Sequence, residues 1–168
     1  MSESAITALL AAATLACLGA FWIAPGGVLS LRRRAGGALQ VDLRLGYSAD
    51  TLYGLLDSYG PSGRRSFRRM LLADMAFPAL YGTTLYLCGD LLAVSGKGFG
   101  LADLARLGAI AAAAFDHGEN FFLLHAVRHW AARPARSARF ASTCTTSKVA
   151  ALALTAVSLA VGWMLPPA

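Results

Sequence analysis

Long apolar blocks separated by clusters of arginine constrain this chain more than any other feature. Several blocks approach or exceed the roughly 20 residues that a helix needs to cross a bilayer. The chain has 168 residues, of which 57% are hydrophobic and only 14% are charged. A soluble domain usually carries about 25% charged residues. The sequence therefore predicts an all-α membrane protein that forms one domain over residues 1–168.

The apolar blocks predict a four-transmembrane-helix bundle. The predicted spans cover about residues 5–24, 67–94, 101–129 and 143–165. Pro25 ends the first block, because proline cannot continue a helix and glycines follow it. Pro78 lies in the middle of the second block and predicts a kink or a freed carbonyl there.

The segment 49–59, between the first two blocks, has the pattern of an amphipathic helix. Its apolar stripe consists of Leu52, Leu55, Leu56 and Tyr59. Ser48 is a plausible N-cap, and Gly60 with Pro61 is a stop signal. Eleven residues are too few to cross a bilayer. We therefore expect an interfacial helix that lies at the membrane surface or caps the bundle.

The net charge of +6 comes mainly from arginines in the connections between blocks. Arginine and lysine are concentrated in the first and third connections and are nearly absent from the second. This distribution predicts that both termini are non-cytosolic. The expected partner of this charge is anionic membrane lipid, with no nucleic acid, because no soluble domain presents a basic face. The three scattered cysteines predict neither a disulfide nor a zinc site.

The third block carries three polar side chains inside an otherwise apolar stretch. Asp116, Glu119 and Asn120 stand at positions i, i+3 and i+4, so they share one helical face. Lipid penalises such groups strongly. This face should therefore point into the protein interior or into a wet cavity.

Polar groups on the neighbouring blocks lie at matching depths. At about 1.5 Å per residue, Asp74 and Lys148 lie one to two turns inside the cytosolic boundary, and Glu119 lies about 13 Å inside it. An unpaired ammonium within a membrane costs on the order of 2.5 kcal/mol even on insertion scales. Lys148 therefore needs a carboxylate, and Asp74 and Glu119 are the two expected partners. Tyr81 and Asn120 can add neutral hydrogen bonds.

Three roles are open for this polar set: a buried ion cluster that fixes helix register, a lipid-accessible ligand pocket, and an ion or proton pathway. In the pocket hypothesis the ligand is lipid-like or another hydrophobic small molecule, and no cofactor is predicted. The expected proton donors or acceptors are Asp74 and Glu119, and the expected ligand-binding residues are Tyr81, Asp116, Asn120 and Lys148. No nucleophile with a base is visible, so proton transfer such as isomerisation suits the set better than hydrolysis. Whether the chain is an enzyme stays open.

Polar residues near the ends of the blocks are predicted to be structural. His125 and His129 have the spacing of two metal ligands on a helix. They fall beside Trp130 at the inner interface, so a belt at headgroup level is the preferred interpretation and no metal site is predicted. Asp90 and Arg106 occupy matching depths at the opposite face and are predicted to pair.

Four motifs resemble those of a family of small four-span membrane proteins of unknown activity. They are GYSADTLYGLLDSYGPSGRR, DMAFPALYG, FDHGEN and TTSK, and they spread over residues 46–148. The resemblance implies a four-span fold and no particular chemistry. A weaker similarity to the four-span sterol-isomerase and sigma-2-receptor-like group implies an acidic pocket inside a bundle. No motif matches that group residue by residue, so no site residue is taken from it.

Overall fold

The computed structural model of the chain describes residues 1–98 and 100–166. Over these ranges the chain is built from helices and turns and contains no β-strand, which confirms the all-α prediction. The α-helices are α1 (Glu3–Ile23), α2 (Val28–Arg34), α3 (Ala49–Asp74), α4 (Phe77–Val94), α5 (Leu101–Arg128) and α6 (Ala135–Met164). Short 3₁₀ turns occupy Val41–Leu43 and Trp130–Ala132.

Three helical stretches of the described chain are long and apolar enough to cross a membrane. They are Glu3–Arg34, Ala49–Val94 and Ala135–Met164. The helix α5 has 28 residues, which correspond to about 42 Å, but it is not among the three. It carries Asp116 and Glu119 in its second half. The apolar helices thus number one fewer than the four predicted spans.

The helix α5 is the centre of the bundle. It packs along α6 over most of its length, and it also contacts α4 and α3, whereas α1 packs mainly on α4. Small residues let these helices approach closely. A Cβ atom added at Gly108 would overlap Oγ1 of Thr155 and lie 3.1 Å from the carbonyl oxygen of Ala151. The helix that carries Asp116, Glu119 and Asn120 is therefore the one that its neighbours cover best.

The predicted second span, 67–94, is not one continuous helix. The helix α3 ends at Asp74, and α4 begins at Phe77. Pro78 lies in the first turn of α4, where its missing N–H breaks no helical hydrogen bond. The interruption predicted from this proline is confirmed, and its position explains why Asp74 sits at a helix end.

The segment predicted as an interfacial helix forms the first part of α3. Ser48 caps it by accepting a hydrogen bond of 3.1 Å from the backbone N–H of Thr51. Gly60 has φ 64° and ψ −179°, so regular helix geometry does stop there. The predicted stop is therefore confirmed, although a second helical part follows directly at Pro61, before the predicted start at residue 67, and runs on to Asp74.

The densest apolar core lies at the arginine-rich end of the bundle, where the first part of α3 packs against α5 and α6. Its fully buried side chains include Leu31, Val41, Leu52, Leu56, Phe67, Leu71 and Leu123. Asp57 on α3 ties this layer to the connection after α5, since it accepts hydrogen bonds from Trp130 at 2.8 Å and Arg133 at 2.6 Å. The first part of α3 therefore caps one end of the bundle.

The remaining boundaries agree with the predicted spans to within about two residues, with one exception. The helix α6 begins at Ala135 instead of residue 143, directly after Pro134. Proline has a fixed φ that suits the start of a helix. At the far end of the bundle, Nε of Arg106 lies 2.7 Å from Oδ1 of Asp90, as the matching depths predicted.

Candidate ligand-binding site

The polar residues of three helices meet at one point inside the bundle. Nζ of Lys148, on α6, lies 2.5 Å from Oε2 of Glu119 and 3.1 Å from Oδ1 of Asp116, both on α5. Glu119 is fully buried, and Asp116 is 5% exposed. One ammonium therefore bridges two carboxylates one helical turn apart.

Two hydroxyl groups complete the hydrogen bonding of these carboxylates. The hydroxyl of Tyr81, on α4, donates to Oδ2 of Asp116 at 3.0 Å. The hydroxyl of Thr145, on α6, donates to Oε1 of Glu119 at 2.5 Å. Thr145 was not singled out from the sequence, although its spacing of three residues from Lys148 places it on the same face of α6.

Asp74 occupies a different position from the one predicted. Its Oδ2 atom accepts a hydrogen bond of 2.9 Å from Nδ2 of Asn120, and the second carboxylate at Lys148 is Asp116. The predicted pairing of Lys148 with Asp74 was therefore wrong, and its pairing with Glu119 was right. Asn120 follows Glu119 by about 100° around the helix, so it faces α3 while Glu119 faces α6.

Asp42 is the site residue that sequence reasoning missed. It lies in the 3₁₀ turn between α2 and α3, which folds back over the polar cluster. Its Oδ1 atom is shielded from solvent and has no hydrogen-bond partner within the described residues. Burial raises the pKa of Asp42 to about 6, and the nearby Lys148 only partly opposes that rise. The one sequence signal was an acid between two apolar residues, Val41 and Leu43.

A cleft of about 710 Å³ runs from this cluster between α1, α4 and α6. It exists because α1 packs on α4 and makes little contact with α6. Most of its wall is apolar, including Ala11, Leu15, Leu18, Phe77, Leu85, Val149 and Leu152. Its polar lining is concentrated in Asp42, Arg44, Tyr81, Asp116 and Lys148, with Thr14 and Thr84 further along.

A smaller chamber of about 110 Å³ adjoins the cleft at its polar end. The two spaces share Leu18, Asp42, Leu43, Phe77, Asp116 and Lys148, and the chamber also reaches Asp74. Neither Glu119 nor Asn120 is among the residues that line the cleft or the chamber. Of the two predicted catalytic acids, only Asp74 thus borders a space that a ligand could enter.

The histidine pair lies outside this site. Nδ1 of His125 is 2.8 Å from Oγ of Ser137, and the ring centroids of His125 and His129 are 4.3 Å apart. In the described ranges, no three His, Cys, Asp or Glu side chains are arranged to hold a metal ion. The geometry of the site is therefore that of a mainly apolar cleft with an acidic, lysine-bridged end.

The chain matches no protein-family model, no curated protein and no solved structure.

Proposed function

We propose that the chain is a four-span membrane protein that binds a lipid-like or other hydrophobic small molecule in the cleft between α1, α4 and α6. The four crossings are α1, α4, α5 and α6. The arginine-rich end, where α3 caps the bundle, is the cytosolic end, and both termini lie on the opposite side.

The distribution of apolar surface supports the membrane proposal. Only Thr7 is buried among the 21 residues of α1, and the helix is apolar all round. In water such a surface would be a large exposed apolar patch. Apolar side chains of α5 and α6, such as Ile110 and Val157, are also more than half exposed. A bilayer would cover all of these, while the polar face of α5 stays inside the bundle.

The cleft itself is the observation that carries the ligand proposal. Ligand pockets usually measure about 300–1,000 Å³ and combine apolar walls with a few convergent polar groups. The cleft has about 710 Å³ and concentrates its charged groups at one end, at Asp42, Arg44, Asp116 and Lys148. This polarity matches an amphiphile whose apolar part lies along Leu15 and Leu152 and whose polar head meets the charged end.

Proton transfer to a bound ligand is the chemistry that this site supports best. Asp74 lines the chamber and accepts only from Asn120 among the described side chains. A carboxyl group in such a position can exchange a proton with a ligand head. Glu119, by contrast, is fully buried and paired with Lys148.

A purely structural role is the second candidate for part of the polar set. The ion pair between Lys148 and Glu119 favours it, because breaking a buried pair costs about 3–5 kcal/mol. This role applies to Glu119, which lines neither the cleft nor the chamber, whereas Lys148 and the three aspartates Asp42, Asp74 and Asp116 border open space. The two roles are therefore compatible within one bundle.

Native mass spectrometry with lipid analysis tests the proposal. We expect the purified full chain to retain one hydrophobic species in stoichiometric amount. Leu152→Trp should fill the cleft, since Leu152 lines it, and should reduce the retained ligand by about ten-fold, or 1.4 kcal/mol of binding.

Leu154→Trp is the matched control. Leu154 lies on the same helix, is 45% exposed and does not line the cleft. It should leave ligand retention unchanged. Equal retention by both variants, or no stoichiometric species on the parent chain, would count against a ligand site in the cleft.

A further inference from the structure

The carboxylate of Asp42 is poorly solvated and lies beside the chamber, and this bears on the kind of ligand head that suits the chamber. Oδ1 of Asp42 is shielded from water and receives no hydrogen bond from any described residue. A buried polar atom without a partner destabilises the fold, and it does so more strongly when the group is charged. The carboxylate borders both the chamber and the cleft. A cation in the chamber would offset the charge that this poorly solvated carboxylate keeps in the protein interior.

The charges around the chamber favour a cationic donor over a neutral one. Asp42, Asp74 and Asp116 line the chamber, and Lys148 is the one basic residue that lines it. Lys148 is already engaged by Asp116 and by Glu119, which adds a fourth carboxylate. Arg44 borders the cleft, but its guanidinium donates to the carbonyl oxygen of Leu39 at 2.7 and 3.0 Å. The cluster therefore has more acid than it has cation.

We infer that the ligand carries a protonated amine, which sits in the chamber against Asp42 while its apolar chain lies in the cleft. This inference rests on the proposed function, because it assigns the head of the same ligand. The chamber volume of about 110 Å³ admits an ammonium group with its first carbon atoms and excludes a bulky head. A charge-assisted hydrogen bond from the amine to Asp42 is stronger than one from a hydroxyl group.

A pair of probes that differ only in the head group tests the inference. Dodecylamine and dodecan-1-ol have the same chain, and both are to be titrated into the full protein in phosphatidylcholine nanodiscs, with empty nanodiscs as the blank. The amine should bind at least about ten-fold more tightly than the alcohol. Asp42→Asn should weaken binding of the amine by about ten-fold and leave binding of the alcohol within about two-fold.

Asp50→Asn is the control for a general loss of negative charge, since Asp50 is exposed and lines neither the chamber nor the cleft. It should change neither affinity.

Retained binding of the alcohol by Asp42→Asn shows that this variant is folded. Equal affinity for the two probes, or an amine affinity that Asp42→Asn leaves unchanged, overturns the inference. If both probes bind equally and Leu152→Trp abolishes both, the proposed function stands without it. If neither probe binds the parent chain, the inference and the ligand proposal fall together.

Discussion

Nζ of Lys148 lies 2.5 Å from Oε2 of Glu119 in the interior of the bundle, and this pair joins α5 to α6. Lys148→Met leaves two buried carboxylates without a cation, and Glu119→Gln removes one of the two acids. Each change should destabilise the bundle by about 3–5 kcal/mol, as breaking a buried pair usually does. The double variant should recover part of the loss, because both charges are then gone. A thermal-unfolding cycle in detergent measures the coupling.

Asp74→Asn is the control for that cycle, since Asp74 hydrogen bonds to Asn120 instead of Lys148. Combined with Lys148→Met, it should show much weaker coupling than Glu119→Gln does. Additive effects of Lys148→Met and Glu119→Gln would contradict the direct pair.

The close contact between α5 and α6 depends on Gly108. A side chain there would overlap Thr155, so Gly108→Ala should destabilise the bundle by about 1–3 kcal/mol. Gly54→Ala is the matched control, because a Cβ at that exposed helical position meets nothing within 4 Å. It should be neutral or stabilise by up to about 1 kcal/mol through helix propensity. Equal effects of the two changes on the unfolding temperature would refute this packing.

The pH dependence of stability should report the ionisation of the Asp42 carboxyl group. Burial raises its pKa from 3.8 to about 6, so the folded protein holds this proton more tightly than the unfolded chain does. Asp42 therefore contributes most to the free energy of unfolding below about pH 4. This contribution falls by at most about 3 kcal/mol as the pH rises through about 6. In ligand-free protein, Asp42→Asn should be more stable than the parent chain at pH 7, and the difference should vanish near pH 4. A constant difference from pH 4 to 7 would contradict the burial of this carboxylate.

Much of the fold was predictable because apolar length and helix signals are local. The helices α1 and α5, the cap at Ser48 and the break at Gly60 all follow from neighbouring residues. The start of the second part of α3 at Pro61, six residues before the predicted start, was not predictable from apolar length, because packing of Phe67 and Leu71 into the core stabilises this part. Tertiary packing here outweighs local propensity.

The candidate site was predictable in part of its membership and in part of its pairing. Depth along each helix placed Asp74, Glu119 and Lys148 in the same half of the bundle. Lys148 does contact Glu119, and Asp116 with Tyr81 joins this pair. Asp74 pairs with Asn120 beside them. Depth does not tell which way a side chain points around the helix axis. The partner of Asp74 was therefore wrong, and Asp42 was missed because its turn reaches the cluster only through the fold of residues 35–48.

The topology proposal predicts where introduced cysteines react. In a cysteine-free background, Arg33→Cys should be labelled by an impermeant maleimide only from the cytosolic side, and Lys97→Cys only from the other side. The reason is the excess of arginine in the first and third connections. Labelling of both positions from the same side would contradict the single membrane crossing that α4 makes between them. Reversed labelling would place the termini in the cytosol.

An amphiphile in the cleft should shield the side chains that line it, and the native cysteines test this occupancy most directly. Cys88 lines the cleft, whereas Cys17 is exposed beside a separate groove between α1 and α3. Alkylation by N-ethylmaleimide should be followed residue by residue in nanodiscs, before and after the bound species is stripped and after the membrane lipid extract is added back. Stripping should speed alkylation of Cys88 by at least about five-fold, and refilling should reverse this, because a bound ligand shields what it covers. Cys17 should stay within about two-fold throughout. An alkylation rate of Cys88 that stays the same in the isolated, stripped and refilled protein would contradict an occupied cleft.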